Sequence, residues 1–206
     1  MKIIDAVKSL EGYPFEIPDC SRDDLPKFFK EMGYKVGAEI GVYKAEYTEK
    51  FCKEGLKIFG IDPWLVYKNY KKHPDELDYE VMYNNSKKIV ESCGSKIIRK
   101  TSMDALEDFE DESLDFVYID GNHSMPYIIQ DIYEWSRKVK KGGAISGHDY
   151  ILRGKDPYGL RTCHVKYAVN MMAKILGVKN YFILGSKNPK EGETRDKWRS
   201  WLWIKK

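Results

Sequence analysis

Short apolar runs alternate with amphipathic stretches along most of this chain. Five of the runs have the length and composition of buried strands: KVGAEIGV, LKIFGID, KIIRK, LDFVYID and GGAISGHDY. Apolar residues recur at helical spacing between them, in AEYTEKFCKE, LDYEVMYNNSKKIVESC and SMPYIIQDIYEWSRKVKK. Strands that alternate with helices in this way predict an α/β fold, in which helices cover both faces of a parallel sheet.

The two ends of the chain have different patterns. Near the start, Ser21 precedes the amphipathic stretch DDLPKFFKEM, which stops at Gly33, and we expect residues 1–35 to form an N-terminal helical extension. Residues 36–206 are expected to form the main domain. Near its end, the helical stretch HVKYAVNMMAKILG precedes two further strands, NYFILG and SWLWIKK, which a polar connection joins. This connection has no helical spacing, so these strands could pair antiparallel.

Polar side chains follow the fourth and fifth strands at the point where each strand ends. Asp120 and His123 come after FVYI, and His148 and Asp149 come after GGAISG. Because the carboxyl ends of neighbouring parallel strands meet at one edge of the sheet, we expect Asp120 and Asp149 to converge. Two carboxylates there would repel each other unless a cation or a proton lay between them. The sequence therefore predicts a functional site at this edge.

The first strand ends in GAEIGVYKAEYTE, where a dinucleotide-binding fold would have G-x-G-x-x-G. Only Gly41 fits, and Tyr43 occupies the position of the second glycine, so NAD is disfavoured; the chain also has no GxxxxGK[ST] loop for ATP. Asp62 follows Gly41 by roughly 20 residues, the separation of a ribose-binding carboxylate. Glu39 could face an ammonium or a sulfonium. Alternatively, Glu39 is a solvated charge and Asp62 caps the turn before Pro63.

Composition narrows the class of protein. The 35 basic and 32 acidic residues nearly cancel, which gives no electrostatic case for nucleic acid as a partner. No segment has the apolar length that a membrane span requires. The four cysteines lie far apart without a C-x-x-C pair, so we expect free thiols rather than a zinc cluster, and a cytoplasmic protein.

Four segments carry a resemblance to a known family: AEIGVYKAEYTEKF, FGIDPW, FVYIDGNHSMPYIIQDIYEW and KKGGAISGHDY. In this order, from about residue 36 to residue 150, they resemble the motifs of small class I S-adenosyl-L-methionine-dependent methyltransferases, and within these the sugar and macrolide O-methyltransferases most closely. The resemblance implies a Rossmann-like, doubly wound sheet of seven strands in the order 3-2-1-4-5-7-6, with strand seven antiparallel. It also implies methylation of a hydroxyl on a small molecule, a sugar or a phenol.

The same resemblance implies roles for individual residues. Glu39 and Gly41 would hold the methionine end of the cofactor, Asp62 the ribose, and Ser102 and Met103 would border the adenine. The complete cofactor-binding set is Glu39, Gly41, Tyr43, Asp62, Ser102, Met103 and Asp120. Ser102 could instead cap the helical turn that follows it.

For the chemical step, the resemblance assigns metal binding and catalysis to Asp120 and the role of base to His123. The metal ligands would be Asp120, His148 and Asp149, with Mg²⁺ or Mn²⁺ as the ion. Relatives often have two acids after strand five, and a histidine in place of one of them weakens the case for magnesium and leaves manganese or another transition metal open. Alternatively, His123 caps the next helix and His148 is a core histidine.

Other functions stay open at this point. Methylation of a nucleic-acid base is one, although the [DNS]PP[YFW] motif of amino-directed base methylases is absent after strand four. A catalytically silent cofactor-binding scaffold is another, and cephalosporin hydroxylase-like proteins share the same core. A homo-oligomer is possible. The polar loop after strand five carries Tyr150, Arg153, Tyr158 and Arg161, and it could cover the acceptor.

Overall fold

A single sheet of eight strands forms the centre of the computed structural model, which describes residues 2–65, 78–153 and 163–206. The strands of these residues are β1 (Phe15–Ile17), β2 (Val36–Ile40), β3 (Lys57–Ile61), β4 (Lys96–Ile98), β5 (Leu114–Ile119), β6 (Val139–Gly147), β7 (Phe182–Leu184) and β8 (Ser200–Ile204). The α-helices are α1 (Ile3–Ser9), α2 (Leu25–Glu31), α3 (Glu46–Lys53), α4 (Tyr79–Ser92), α5 (Tyr127–Lys138) and α6 (Val165–Ile175). Two 3₁₀ turns span Arg22–Asp24 and Asp104–Asp108.

The strand order is β4-β3-β2-β5-β6-β8-β7-β1. Pairing is parallel from β4 to β6, whereas β8 is antiparallel to both β6 and β7. Without β1, this is the predicted order 3-2-1-4-5-7-6 with an antiparallel last strand, so the predicted fold is confirmed. The central strands β2 and β5 are paired in register, with Ala38 opposite Val117 and Ile40 opposite Ile119.

The eighth strand, β1, was not predicted from the sequence. Its three residues pair in parallel with β7 at the edge of the sheet, where Phe15 lies opposite Phe182 and Ile17 opposite Leu184. Three residues are too few to produce a recognisable alternation in the sequence. Because β1 runs parallel to β7, the chain leaves it at the same edge of the sheet as the carboxyl ends of β2 and β5.

The two faces of the sheet bury different side chains of the same strands. In β5, Val117 and Ile119 face α5 and α6, whereas Phe116 and Tyr118 face α1, α2 and α3. This alternation follows from the pleat of a strand, and it explains why the run FVYI is apolar throughout. Within the residues that the structure describes, no helix is both long and apolar enough to cross a membrane.

The cysteines depart from the expectation of free thiols. Cys52 near the end of α3 and Cys93 after α4 form a disulfide, although they are 41 residues apart in the sequence. Cys20 and Cys163 are free and buried. The expectation is therefore wrong for one pair, because the packing of α3 beside α4 determines which thiols meet.

Candidate active site

The carboxyl ends of β5 and β6 bring the two predicted acids together. Ile119 lies opposite Gly147 in the register of these strands, so the residues that follow them are neighbours. The imidazole of His123 lies between the carboxylates: its Nε2 is 3.2 Å from Asp120 Oδ1 and 3.2 Å from Asp149 Oδ2. The expected convergence is observed, and His123 is part of it.

The turn after β5 fixes this arrangement through its backbone. The amide of Asp120 donates to the carbonyl of Ile40 at 2.8 Å, which ties the end of β5 to the end of β2. The side chain of Asn122 accepts hydrogen bonds from the amide (3.1 Å) and the hydroxyl (2.7 Å) of Ser124. The carbonyl of His123 accepts from the amide of His164 at 2.8 Å. His123 is thus held by its own turn and by the start of α6 rather than by capping the next helix.

His148 borders the same cluster. Its Nδ1 is 3.4 Å from Asp149 Oδ1 and 3.9 Å from Asp120 Oδ2, and its side chain is largely buried. Asp149 has a φ of +54°, a left-handed conformation that non-glycine residues rarely adopt. Backbone strain of this kind is often found at functional sites.

The charges of this cluster depend on one another. Burial alone would lower the pKa of His123, but its hydrogen bond to Asp120 and the charges of Asp120, Asp149 and Asp131 raise it above the ordinary value. Burial raises the pKa of Asp149 more than His123 and His148 lower it. These contacts favour the protonated form of His123, and in that form the ring would place a cation between the two carboxylates.

Gly41 directly follows β2, and its backbone conformation and close neighbours require a glycine. Its φ is +92°, and a Cβ there would lie 2.4 Å from the carbonyl oxygen of Asp120. Glu39 is 2% exposed and accepts a hydrogen bond from the hydroxyl of Thr48, and burial raises its pKa to about 8. The alternative of a solvated charge at Glu39 is therefore wrong.

The carboxylate of Asp62 organises the loop after β2. Its Oδ2 accepts from the amides of Val42 (3.1 Å) and Tyr43 (3.0 Å), and its Oδ1 accepts from the amide of Trp64 at 2.8 Å. A carboxylate has about four acceptor positions, so about one is left for a ribose hydroxyl. Asp62 therefore does cap the turn that contains Pro63, and it can still accept a hydrogen bond from a ribose. Tyr43 has a φ of +53° and an exposed ring.

Ser102 belongs to a small buried network that the sequence did not predict. Its hydroxyl donates to Asp131 Oδ1 and accepts from Trp135 Nε1 at 2.7 Å. Asp131 is 4% exposed, and burial raises its pKa to about 6. Thr101, not Ser102, accepts from the amide of Asp104 (3.2 Å), so the capping alternative for Ser102 is wrong. The neighbouring side chain, Met103, packs against the apolar core below α5.

Arg22 is a further residue at this edge that sequence reasoning missed. Its Nη1 is 3.4 Å from Asp120 Oδ2, although 98 positions separate the two residues. Of the loop after β6, Tyr150 is buried and donates from its hydroxyl to Asn170 Oδ1 at 2.7 Å, which suits a structural role better than acceptor binding. Arg153 is exposed at the start of that loop, and Tyr158 and Arg161 lie outside the described residues.

Comparison with known proteins gives this geometry its context. A family described as a methyltransferase domain matches residues 39–150, more than half of the chain. The chain belongs to this family of methyltransferases. The match begins at Glu39 and ends at Tyr150, and thus contains both halves of the site.

Solved structures share the fold of this methyltransferase. One is an O-methyltransferase of Bacillus cereus in complex with S-adenosylhomocysteine: TM-score 0.58, 12% identity, with 89% of this chain and 80% of that chain covered. Another is the O-methyltransferase TomG of Streptomyces achromogenes in complex with S-adenosylmethionine, with a TM-score of 0.58, 9% identity, and coverage of 89% and 79%. Together with the family match, they confirm the prediction of a class I methyltransferase.

A curated relative is more similar in sequence but much longer. It is an uncharacterized protein, y4gI, of Sinorhizobium fredii, which is 28% identical over 95 residues. The alignment covers 46% of the methyltransferase chain and 10% of that relative.

The donor set of the methyltransferase also fits a divalent metal. Single ligand atoms of Asp120, His123 and Asp149 lie within 4.8 Å of one another. Two carboxylates and an imidazole suit Mn²⁺ or a similar transition metal better than Mg²⁺, which prefers oxygen ligands alone. The predicted metal ligands were Asp120, His148 and Asp149. In the structure, His123 lies closer to the two carboxylates than His148, which lies beside the group.

Proposed function

We propose that this methyltransferase transfers the methyl group of S-adenosyl-L-methionine to a hydroxyl of a small molecule, a sugar or a phenol. One observation carries the proposal: His123 Nε2 is 3.2 Å from a carboxylate oxygen of both Asp120 and Asp149, at the carboxyl edge of the sheet. An alcohol or a phenol must lose its proton when it is methylated, and an imidazole held by carboxylates is a suitable base.

The orientation of His123 favours one of its nitrogens as the base. Because Nε2 faces the two carboxylates, it carries the proton that they accept, and Nδ1 has the free lone pair in the neutral ring. Nδ1 would take the hydroxyl proton while the oxygen–methyl bond forms and the sulfonium–methyl bond breaks. Asp120 and Asp149 stabilise the imidazolium that results, and they keep the ring in place before the reaction.

The residues of the cofactor crevice fit S-adenosylmethionine. Asp62 has an acceptor position left for a ribose hydroxyl, and Ser102 follows β4, at the position that the resemblance assigns to the adenine. Glu39 is buried next to Gly41, at the place assigned to the methionine end. The two solved O-methyltransferases named above contain S-adenosylmethionine or S-adenosylhomocysteine, which supports the same cofactor here.

A metal would be held by Asp120, His123 and Asp149, with His148 beside them. It would act as a Lewis acid that lowers the pKa of an acceptor hydroxyl. In that state Nε2 of His123 would be a ligand rather than a hydrogen-bond donor. The methyltransferase would then use either a proton or a metal ion to neutralise the same pair of carboxylates.

The proposal is tested in two steps. Isothermal titration calorimetry should show binding of S-adenosylhomocysteine and no binding of NAD. Transfer of tritium from S-[methyl-³H]adenosylmethionine should then label sugars or phenols, and Asp120→Asn should abolish it.

Four outcomes separate the alternatives. Label in DNA or RNA but not in small molecules would favour a base methyltransferase, and cofactor binding without any transfer would favour a silent scaffold. Loss of transfer in EDTA with recovery in Mn²⁺ would establish the metal-dependent form, and full activity in EDTA would establish the metal-free base.

A further inference from the structure

Arg22 is held at the junction between the ends of β2 and β5 by a side chain of α3. The carbonyl of Arg22 accepts a hydrogen bond from the Tyr47 hydroxyl at 2.6 Å. Its guanidinium carbon lies 5.0 Å from the centroid of the Tyr47 ring, in the range of a cation–π contact. The main chain and the side chain of Arg22 are thus both fixed by the same residue. The Ser21 hydroxyl also accepts from the amide of Asp23 (3.2 Å), which stabilises the turn.

The guanidinium of Arg22 retains donors for a ligand. It carries five N–H groups, and Nη1 reaches Asp120 Oδ2 at 3.4 Å, a long hydrogen bond. The side chain is 35% exposed, so it borders the crevice rather than the core. The Tyr118 hydroxyl is buried beside the guanidinium. A ligand anion at this place would therefore meet a fixed cation with free donors.

The acidic surroundings give such a cation a role in binding an amino-acid ligand. The same edge carries the carboxyl groups of Glu39, Asp62, Asp120 and Asp149. Those that are ionised suit the ammonium and the sulfonium of S-adenosylmethionine, but they would repel its α-carboxylate. Among the residues that the structure describes, Arg22 is the only arginine or lysine that forms a salt bridge with Asp120.

We propose that Arg22 binds the α-carboxylate at the methionine end of the cofactor. A guanidinium and a carboxylate side by side complement a zwitterionic amino acid, because they offer a partner to each of its charges. The inference rests on the proposed function, since that function places the methionine end at Glu39 and Gly41. It adds a cofactor-binding residue from the N-terminal segment, outside the matched range 39–150.

The test compares two ligands that differ in the amino-acid group. S-Adenosylhomocysteine has the α-carboxylate, and 5′-deoxy-5′-methylthioadenosine has the same nucleoside and thioether without it. In calorimetric titrations, Arg22→Gln should weaken the binding of S-adenosylhomocysteine roughly 10- to 100-fold, the effect of losing a hydrogen bond to a charged group. The affinity of this variant for methylthioadenosine should equal that of the wild type. Arg22→Lys, which keeps the charge, should lose less affinity.

The control is Lys27→Gln, which makes the same change of charge at an exposed position of α2 and should affect neither ligand. If Arg22→Gln weakened the binding of both ligands equally, or of neither, the inference about Arg22 would be overturned. Binding of S-adenosylhomocysteine by the wild type would still support the proposed cofactor. A wild-type protein that binds neither ligand would overturn both. If Arg22→Gln raised only the KM for the methyl acceptor, Arg22 would bind the acceptor instead.

Discussion

Replacing Glu39 with glutamine should make the protein more resistant to alkaline conditions. Glu39 is 2% exposed, and burial raises its pKa from 4.5 to about 8. Between these pH values the folded protein retains a proton that the unfolded chain releases. The free energy of unfolding therefore falls as the pH rises through this window, and the stability present below pH 4.5 is lost by about pH 8.

The size of the effect follows from the same two pKa values. One pKa unit corresponds to about 1.4 kcal/mol, so a rise from 4.5 to about 8 corresponds to about 5 kcal/mol. Glutamine resembles the neutral form of Glu39 in shape, and its carbonyl oxygen can accept the hydrogen bond from Thr48. It cannot ionise, so the variant has no such loss of stability.

Urea unfolding of both proteins at pH 5 and at pH 8.5 measures this difference directly. The stability gained by Glu39→Gln over the wild type should increase by several kcal/mol between the two pH values. Glu110→Gln, at an exposed position, is the matched control and should show no such increase. A stability difference between the wild type and Glu39→Gln that stays the same at both pH values would contradict the raised pKa of Glu39.

Three other variants test the crevice and the disulfide. Gly41→Ala should destabilise the fold on the order of 2–4 kcal/mol, because its Cβ would meet Asp120 at 2.4 Å; wild-type urea stability would contradict this. Asp62→Ala should weaken S-adenosylhomocysteine binding on the order of 1–3 kcal/mol, and unchanged calorimetric affinity would show that ribose binds elsewhere. Cys52→Ser should cost about 4 kcal/mol, the chain-entropy value for its 41-residue separation from Cys93, and a reductant should abolish the difference.

The sequence predicted the features that depend on local patterns. The apolar runs and helical stretches identified seven strands, and the family resemblance supplied their order. Polar residues directly after β5 and β6 indicated Asp120, His123 and Asp149, because neighbouring parallel strands end at one edge. The position of His123 between the carboxylates was not predicted, since it depends on the path of the turn after β5.

Contacts between distant parts of the chain could not be predicted. Arg22 reaches Asp120 across 98 positions, and the pairing of β1 with β7, which brings the N-terminal segment into the sheet, was not predicted. Asp131 is a polar residue on an amphipathic helix, where a solvent-facing position is the usual expectation. Its partner, Ser102, lies on a different element, so no local pattern indicates their hydrogen bond.

Methyl transfer by His123→Gln tests the proposed chemistry most directly. Glutamine can still hydrogen-bond to Asp120 and Asp149, but it cannot take a proton from the acceptor. With tritiated S-adenosylmethionine and a panel of sugars and phenols, the variant should bind S-adenosylhomocysteine as the wild type does. It should transfer the label at least roughly 100-fold more slowly, the usual contribution of a general base. Transfer at the wild-type rate would contradict the assignment of His123 as the base.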